Sequence, residues 1–82
     1  MSRIIIFTIQ TGKGNINASV VDGAPRLEWV SGVEKVCLTV VKFNRRGLTV
    51  RFNIAGQGFD MHIPASVFDY HLVKDRIERY YI

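Results

Sequence analysis

Apolar residues recur at every second position through most of this chain, and the spacing changes to three and four only near its end. A period of two marks a strand with one face toward a core, and a period near 3.6 marks an amphipathic helix. Asn15 to Val21 alternates cleanly, with Ile16, Ala18 and Val20 inward and Asn15, Asn17 and Ser19 outward. Arg26 to Val30 puts Leu27 and Trp29 on one face, and the segment from Phe59 to Ile63 puts Phe59, Met61 and Ile63 inward with Asp60 and His62 outward. Arg3 to Gln10 is apolar on both faces, which predicts a central or doubly covered strand. Turn residues separate these runs: Thr11-Gly12-Lys13-Gly14, where the glycines are expected to supply positive φ, Asp22-Gly23-Ala24-Pro25, Ser31-Gly32 and Gly56-Gln57-Gly58. Pro25 has no N–H for a ladder, so the third strand is expected to begin after it.

Glu34 to Phe43 and Leu48 to Ala55 form the clearest hairpin. Asn44-Arg45-Arg46-Gly47 suits a three-residue loop with a glycine bulge. That loop sets Asn44 opposite Leu48, Lys42 opposite Val50, Val40 opposite Phe52 and Leu38 opposite Ile54, leaving Thr39, Val41, Phe43, Thr49, Arg51 and Asn53 on the other side. After Pro64, Ser66 is the expected N-cap of a helix running to about Tyr80, with Phe68, Leu72, Val73 and Ile77 as its apolar stripe. Its last residues, Tyr80, Tyr81 and Ile82, are expected to cap the edge of the core. The order predicts an α+β fold: an antiparallel sheet of about six short strands, curled into a partial barrel, with one C-terminal helix. Eighty-two residues make one domain spanning 1–82.

Charge changes the picture more than composition does. The chain is 48% hydrophobic and 22% charged, an ordinary globular balance that excludes intrinsic disorder. The stretch from Lys35 to Phe59, however, holds Lys35, Lys42, Arg45, Arg46 and Arg51 and no carboxylate. It carries +5 while the remainder sums to −1, so the whole net charge of +4 originates on one hairpin. A field concentrated in this way attracts a polyanion better than the same charge spread evenly.

Catalytic and cofactor chemistry finds no foothold. The single Cys37, inside Val36-Cys37-Leu38, excludes an internal disulfide and reads as a small buried hydrophobe. Gly12-Lys13-Gly14 lacks the remaining glycines and the following helix of a phosphate-binding loop, and Gly56-Gln57-Gly58 joins strand to strand. No serine sits in a nucleophile motif, and the seven carboxylates are scattered singly. Asp60 with His62 and Asp69 with His71 are potential metal donors, but their spacing matches no metal motif, so surface polar roles are expected and no metal or cofactor is assigned. No apolar run approaches the roughly 20 residues that span a membrane, and no signal segment is visible, so a cytoplasmic location is expected.

These residues point to a small basic binding module with no enzymatic activity. Lys35, Lys42, Arg45, Arg46 and Arg51 are expected to meet phosphates, Phe43 to stack on bases, and Thr49 and Asn53 to offer hydrogen bonds, which suits single-stranded nucleic acid or a nucleoprotein. The alternative is a protein-binding regulator or inhibitor, of the kind phages and mobile elements carry, that occludes an acidic surface on a larger partner. A homodimer through a sheet edge is a further possibility of the strand-rich pattern.

Overall fold

The computed structural model describes residues 2–81. Six strands run β1 (Arg3–Thr11), β2 (Gly14–Val21), β3 (Ala24–Ser31), β4 (Glu34–Asn44), β5 (Gly47–Ile54) and β6 (Gln57–Pro64). A 3-10 turn (Ala65–Val67) and one helix, α1 (Tyr70–Tyr80), follow. Every strand pairs antiparallel with its sequence neighbour, in the order β1-β2-β3-β4-β5-β6. The sheet is not closed. It curls enough that residues of β1, β3 and β6 line one groove of about 390 Å³.

The core lies on the inner side of the curl and is capped by the helix. Phe7, Ile9, Ile16, Ala18, Leu27, Leu38, Leu48, Val50 and Ile63 meet Val73 and Ile77 of α1 there. Four helical steps separate Val73 from Ile77, so both project onto one face of α1, and they are 2% and 0% exposed. The phenol of Tyr81, just past the helix, donates to the Arg26 carbonyl and ties this end of α1 to β3. Ile82, the other residue expected to cap the core, lies outside the described residues.

Several sequence expectations need correction. β1 is an edge strand, with Ile4 and Ile5 each 60% exposed; its double apolar face marks a register shift between Ile5 and Phe7, where Ile6 is the extra residue. Pro25 lies inside β3, opposite Val20 and near the strand's start, where a missing amide is tolerated. Positive φ occurs at Asp22, Gly23, Gly32, Gly47, Ala55 and Gly56, and neither Gly12 nor Gly14 adopts it. Cys37 is exposed, because it stands on the outer face opposite Glu28. The helix begins three residues later than expected: Ser66 falls in the 3-10 turn, and Asp69 is the N-cap, its carboxylate accepting from the Leu72 amide.

The β4–β5 hairpin has a different register from the expected one. Asn44 pairs with Gly47 across a two-residue turn, and Phe43 pairs with Leu48. The pairing then shifts between Val40 and Lys42, so Val41 is an extra residue and Val40 comes to face Val50. Leu38 faces Phe52. Because a displacement of two residues preserves the face, Leu38, Val40, Val50 and Phe52 still share the inner side. Phe43, beyond the bulge, is moved from the outer side to the inner one.

Candidate nucleic-acid interface

The turn Arg45-Arg46 is held at three points. The Asn44 side chain accepts from the Arg46 amide at 2.8 Å, an Asx turn that fixes the loop from within. The Arg46 carbonyl accepts from the Ala65 amide, anchoring the turn to the end of β6. Gly47 completes the anchor with φ of +145, so close to β6 that a Cβ would lie 2.0 Å from the Ile63 carbonyl oxygen. Only glycine meets both demands. The two arginines therefore project from a braced loop.

Ion pairing sorts the cations. Arg3 meets Glu28, Arg51 meets Asp60, and Lys74, Arg76 and Arg79 meet acids of their own helix. Among the described residues, Lys13, Arg26, Lys35, Lys42, Arg45 and Arg46 have no carboxylate within ion-pair distance, and all six are exposed. Four of these six belong to the β4–β5 hairpin, so the excess identified in the sequence survives folding there.

The expected site residues do not all converge. Lys42, Arg45 and Arg46 lie together at the turn end of the hairpin. Lys35 sits at the opposite end of β4, roughly 30 Å away along the strand. Asn53 is exposed near the far end of β5, opposite Gly58. Arg51 is engaged: its Nε and one terminal nitrogen donate to the two Asp60 oxygens at 2.8 and 3.3 Å. That hydrogen bonding, reinforced by charge, raises the Arg51 pKa and lowers the Asp60 carboxyl below its ordinary value. Thr49 Oγ1 is 3.1 Å from His62 Nδ1.

Phe43 is not the free stacking platform expected of it. It packs against the core, nearly parallel to Tyr70 with centroids 5.4 Å apart, and 6.3 Å from Phe68. The bulge at Val41 is the cause, since one extra residue turns every later side chain of β4 to the other face. In exchange the stack brings α1 to the hairpin. A groove of about 330 Å³ runs between Val40–Asn44 and the helix, with Lys42, Tyr70, Lys74 and Glu78 along it. His71 packs edge-on against Tyr70 and is exposed. Tyr70 and Lys74 were absent from the sequence reading of the site, because only the altered register shows that the helix start abuts the basic turn.

A second feature stands at the opposite end of the inner face. Phe52 meets Trp29 edge to face at 5.7 Å, and beyond them Ile54 and Phe59 are 48% and 51% exposed. Comparison of the chain with protein-family models, curated proteins and solved structures finds no match.

Proposed function

We propose that this chain is a non-catalytic module that docks on single-stranded nucleic acid through the turn end of the β4–β5 hairpin. Lys42, Arg45 and Arg46 bind phosphates, and the exposed His71 on the adjoining helix offers ring surface to bases. The single observation that carries this reading is the group of exposed cations that have no carboxylate partner among the described residues, at a turn braced by Asn44, Ala65 and Gly47. A braced loop loses little entropy on binding, and charge beside aromatic rings is the combination that sequence-tolerant strand binding uses.

Fluorescence anisotropy with labelled single-stranded and duplex oligonucleotides at a series of salt concentrations tests the proposal. Three neutralised phosphates give a slope of log K on log salt of about −2 for single strands. Arg45→Ala and Arg46→Ala each weaken binding and flatten that slope. Absence of binding at low salt overturns the reading.

The apolar mouth favours one other reading, that of a protein-binding regulator. Ile54 and Phe59 form an exposed apolar pair beside the Phe52–Trp29 contact, and such a patch on a small protein suits a docking surface. Phe59→Ser then abolishes capture of a host protein that Arg45→Ala retains.

A further inference from the structure

β6 is an edge strand whose outer side is guarded by proline only at its last residue, Pro64. Natural edges are protected by proline, lysine, bulges or a covering element. From Gln57 to Ile63 there is no proline or lysine, the β5–β6 pairing has no register shift, and the one acidic charge is already neutralised by Arg51. β1, the other edge, carries the irregularity between Ile5 and Phe7 and the cation Arg3.

The ladder shows which backbone groups β6 leaves free. Gln57 closes the two-residue turn opposite Ile54, and the Ala65 amide donates to the Arg46 carbonyl. Antiparallel pairing alternates between hydrogen-bonded and non-hydrogen-bonded pairs, so the odd-numbered residues of β6 bond to β5. The amides and carbonyls of Gly58, Asp60 and His62 therefore point outward, and all three residues are exposed.

We infer that β6 pairs with β6 of a second copy of this chain, antiparallel, about a two-fold axis through Met61. This register brings Asp60 opposite His62 of the second copy, twice by symmetry. It also matches outward-pointing backbone groups: Asp60 and His62 exchange both of their hydrogen bonds, and each Gly58 amide donates to the Pro64 carbonyl opposite. On the inner face Phe59, half exposed in the single chain, comes opposite Ile63. The neighbouring in-phase registers are worse. One sets Asp60 against Asp60, and the other sets His62 against His62 with Asp60 opposite Pro64, which has no amide. The match of outward-pointing backbone groups, with the Asp60 carboxylate of one copy beside the His62 imidazole of the other, thus selects both the occupant and the register. Met61, His62, Ile63 and Pro64 border the groove that the β1–β2 turn also lines, so the second strand enters beside that turn, and the residue placed against Pro64 is Gly58, which brings no side chain. The pairing is isologous and closes on itself, so it forms a dimer without propagating to a fibre.

Sedimentation velocity across a range of protein concentrations gives the first test, with circular dichroism confirming the fold of every variant. Wild-type protein is expected to sediment as twice its 9.3 kDa mass as concentration rises. His62→Asp sets like charges opposite each other and weakens dimerisation by about tenfold, and adding Asp60→His to it restores the dimer. The axis is tested separately. Met61→Cys, made in a Cys37→Ser background, falls at a non-hydrogen-bonded pair with Cα atoms about 4.5 Å apart, and on mild oxidation it forms a disulfide-linked dimer. Phe59→Cys in the same background does not. A wild-type monomer at hundreds of micromolar overturns the inference. So does a dimer unaffected by His62→Asp, or a Met61→Cys variant that does not cross-link.

Discussion

Replacing Gly47 by alanine drives a methyl group into the Ile63 carbonyl oxygen and puts a side chain at a φ that L residues rarely adopt. Ile63 cannot yield, because it belongs to the β5–β6 ladder. The expected loss is about 2–4 kcal/mol, read from urea unfolding. Tyr81 makes a prediction about alkaline pH. Burial pushes its phenol up to about 12, so the folded chain holds that proton after the unfolded chain has released it at its ordinary value of 10.0. The contribution of this group is intact below pH 10 and is lost as pH rises from about 10 toward 12. Thermal melting is expected to fall through that window, and Tyr81→Phe, which has no proton to lose, to fall less. Asp60→Asn tests the partition of charge. It releases Arg51 from its only carboxylate partner among the described residues. Affinity for single-stranded nucleic acid is expected to rise, and the salt slope to steepen by about 0.7.

At the scale of elements, apolar alternation between turn residues identified five of the strands, a run apolar on both faces identified β1, and the final change of spacing identified the helix. What it did not identify was a single residue of slack. Thr39, Val41 and Phe43 alternate as regularly as Leu38 and Val40, so a two-residue turn with a bulge and a three-residue turn without one suit the pattern equally. The choice depends on Gly47, whose approach to Ile63 is a tertiary contact with no local signature. One residue decided the face of Phe43 and, through it, which aromatic rings border the basic turn. The helix start was ambiguous in the same way. Ser66 and Asp69 are both good caps, and the chain uses the second because Ala65–Val67 form a 3-10 turn packed on β1 and β5. Asp69→Ala is therefore expected to cost about 1 kcal/mol in thermal or urea unfolding, and Ser66→Ala close to nothing. The fate of Arg51 was also hidden, since its pairing with Asp60 depends on the β5–β6 register.

At the scale of the molecule, the curl separates two surfaces of different chemistry. The helix seals one end beside the cationic turn, and the apolar mouth opens at the other. Variants at Arg45 and Phe59 are accordingly expected to act independently, with additive effects on stability, since Arg45 lies in the β4–β5 turn, Phe59 lies in β6 opposite Phe52, and the two share no partner. The strictly sequential strand order bears on how the chain is made. Each hairpin joins neighbours in the sequence, so β1 through β6 can pair one after another while the nascent polypeptide leaves the ribosome. The lid over their inner surface comes last: until Val73 and Ile77 emerge, Ile9, Ile16, Leu48 and Val50 face water on a finished sheet. Ribosome-stalled chains of increasing length are thus expected to gain protease resistance abruptly, only after those two side chains have cleared the exit tunnel.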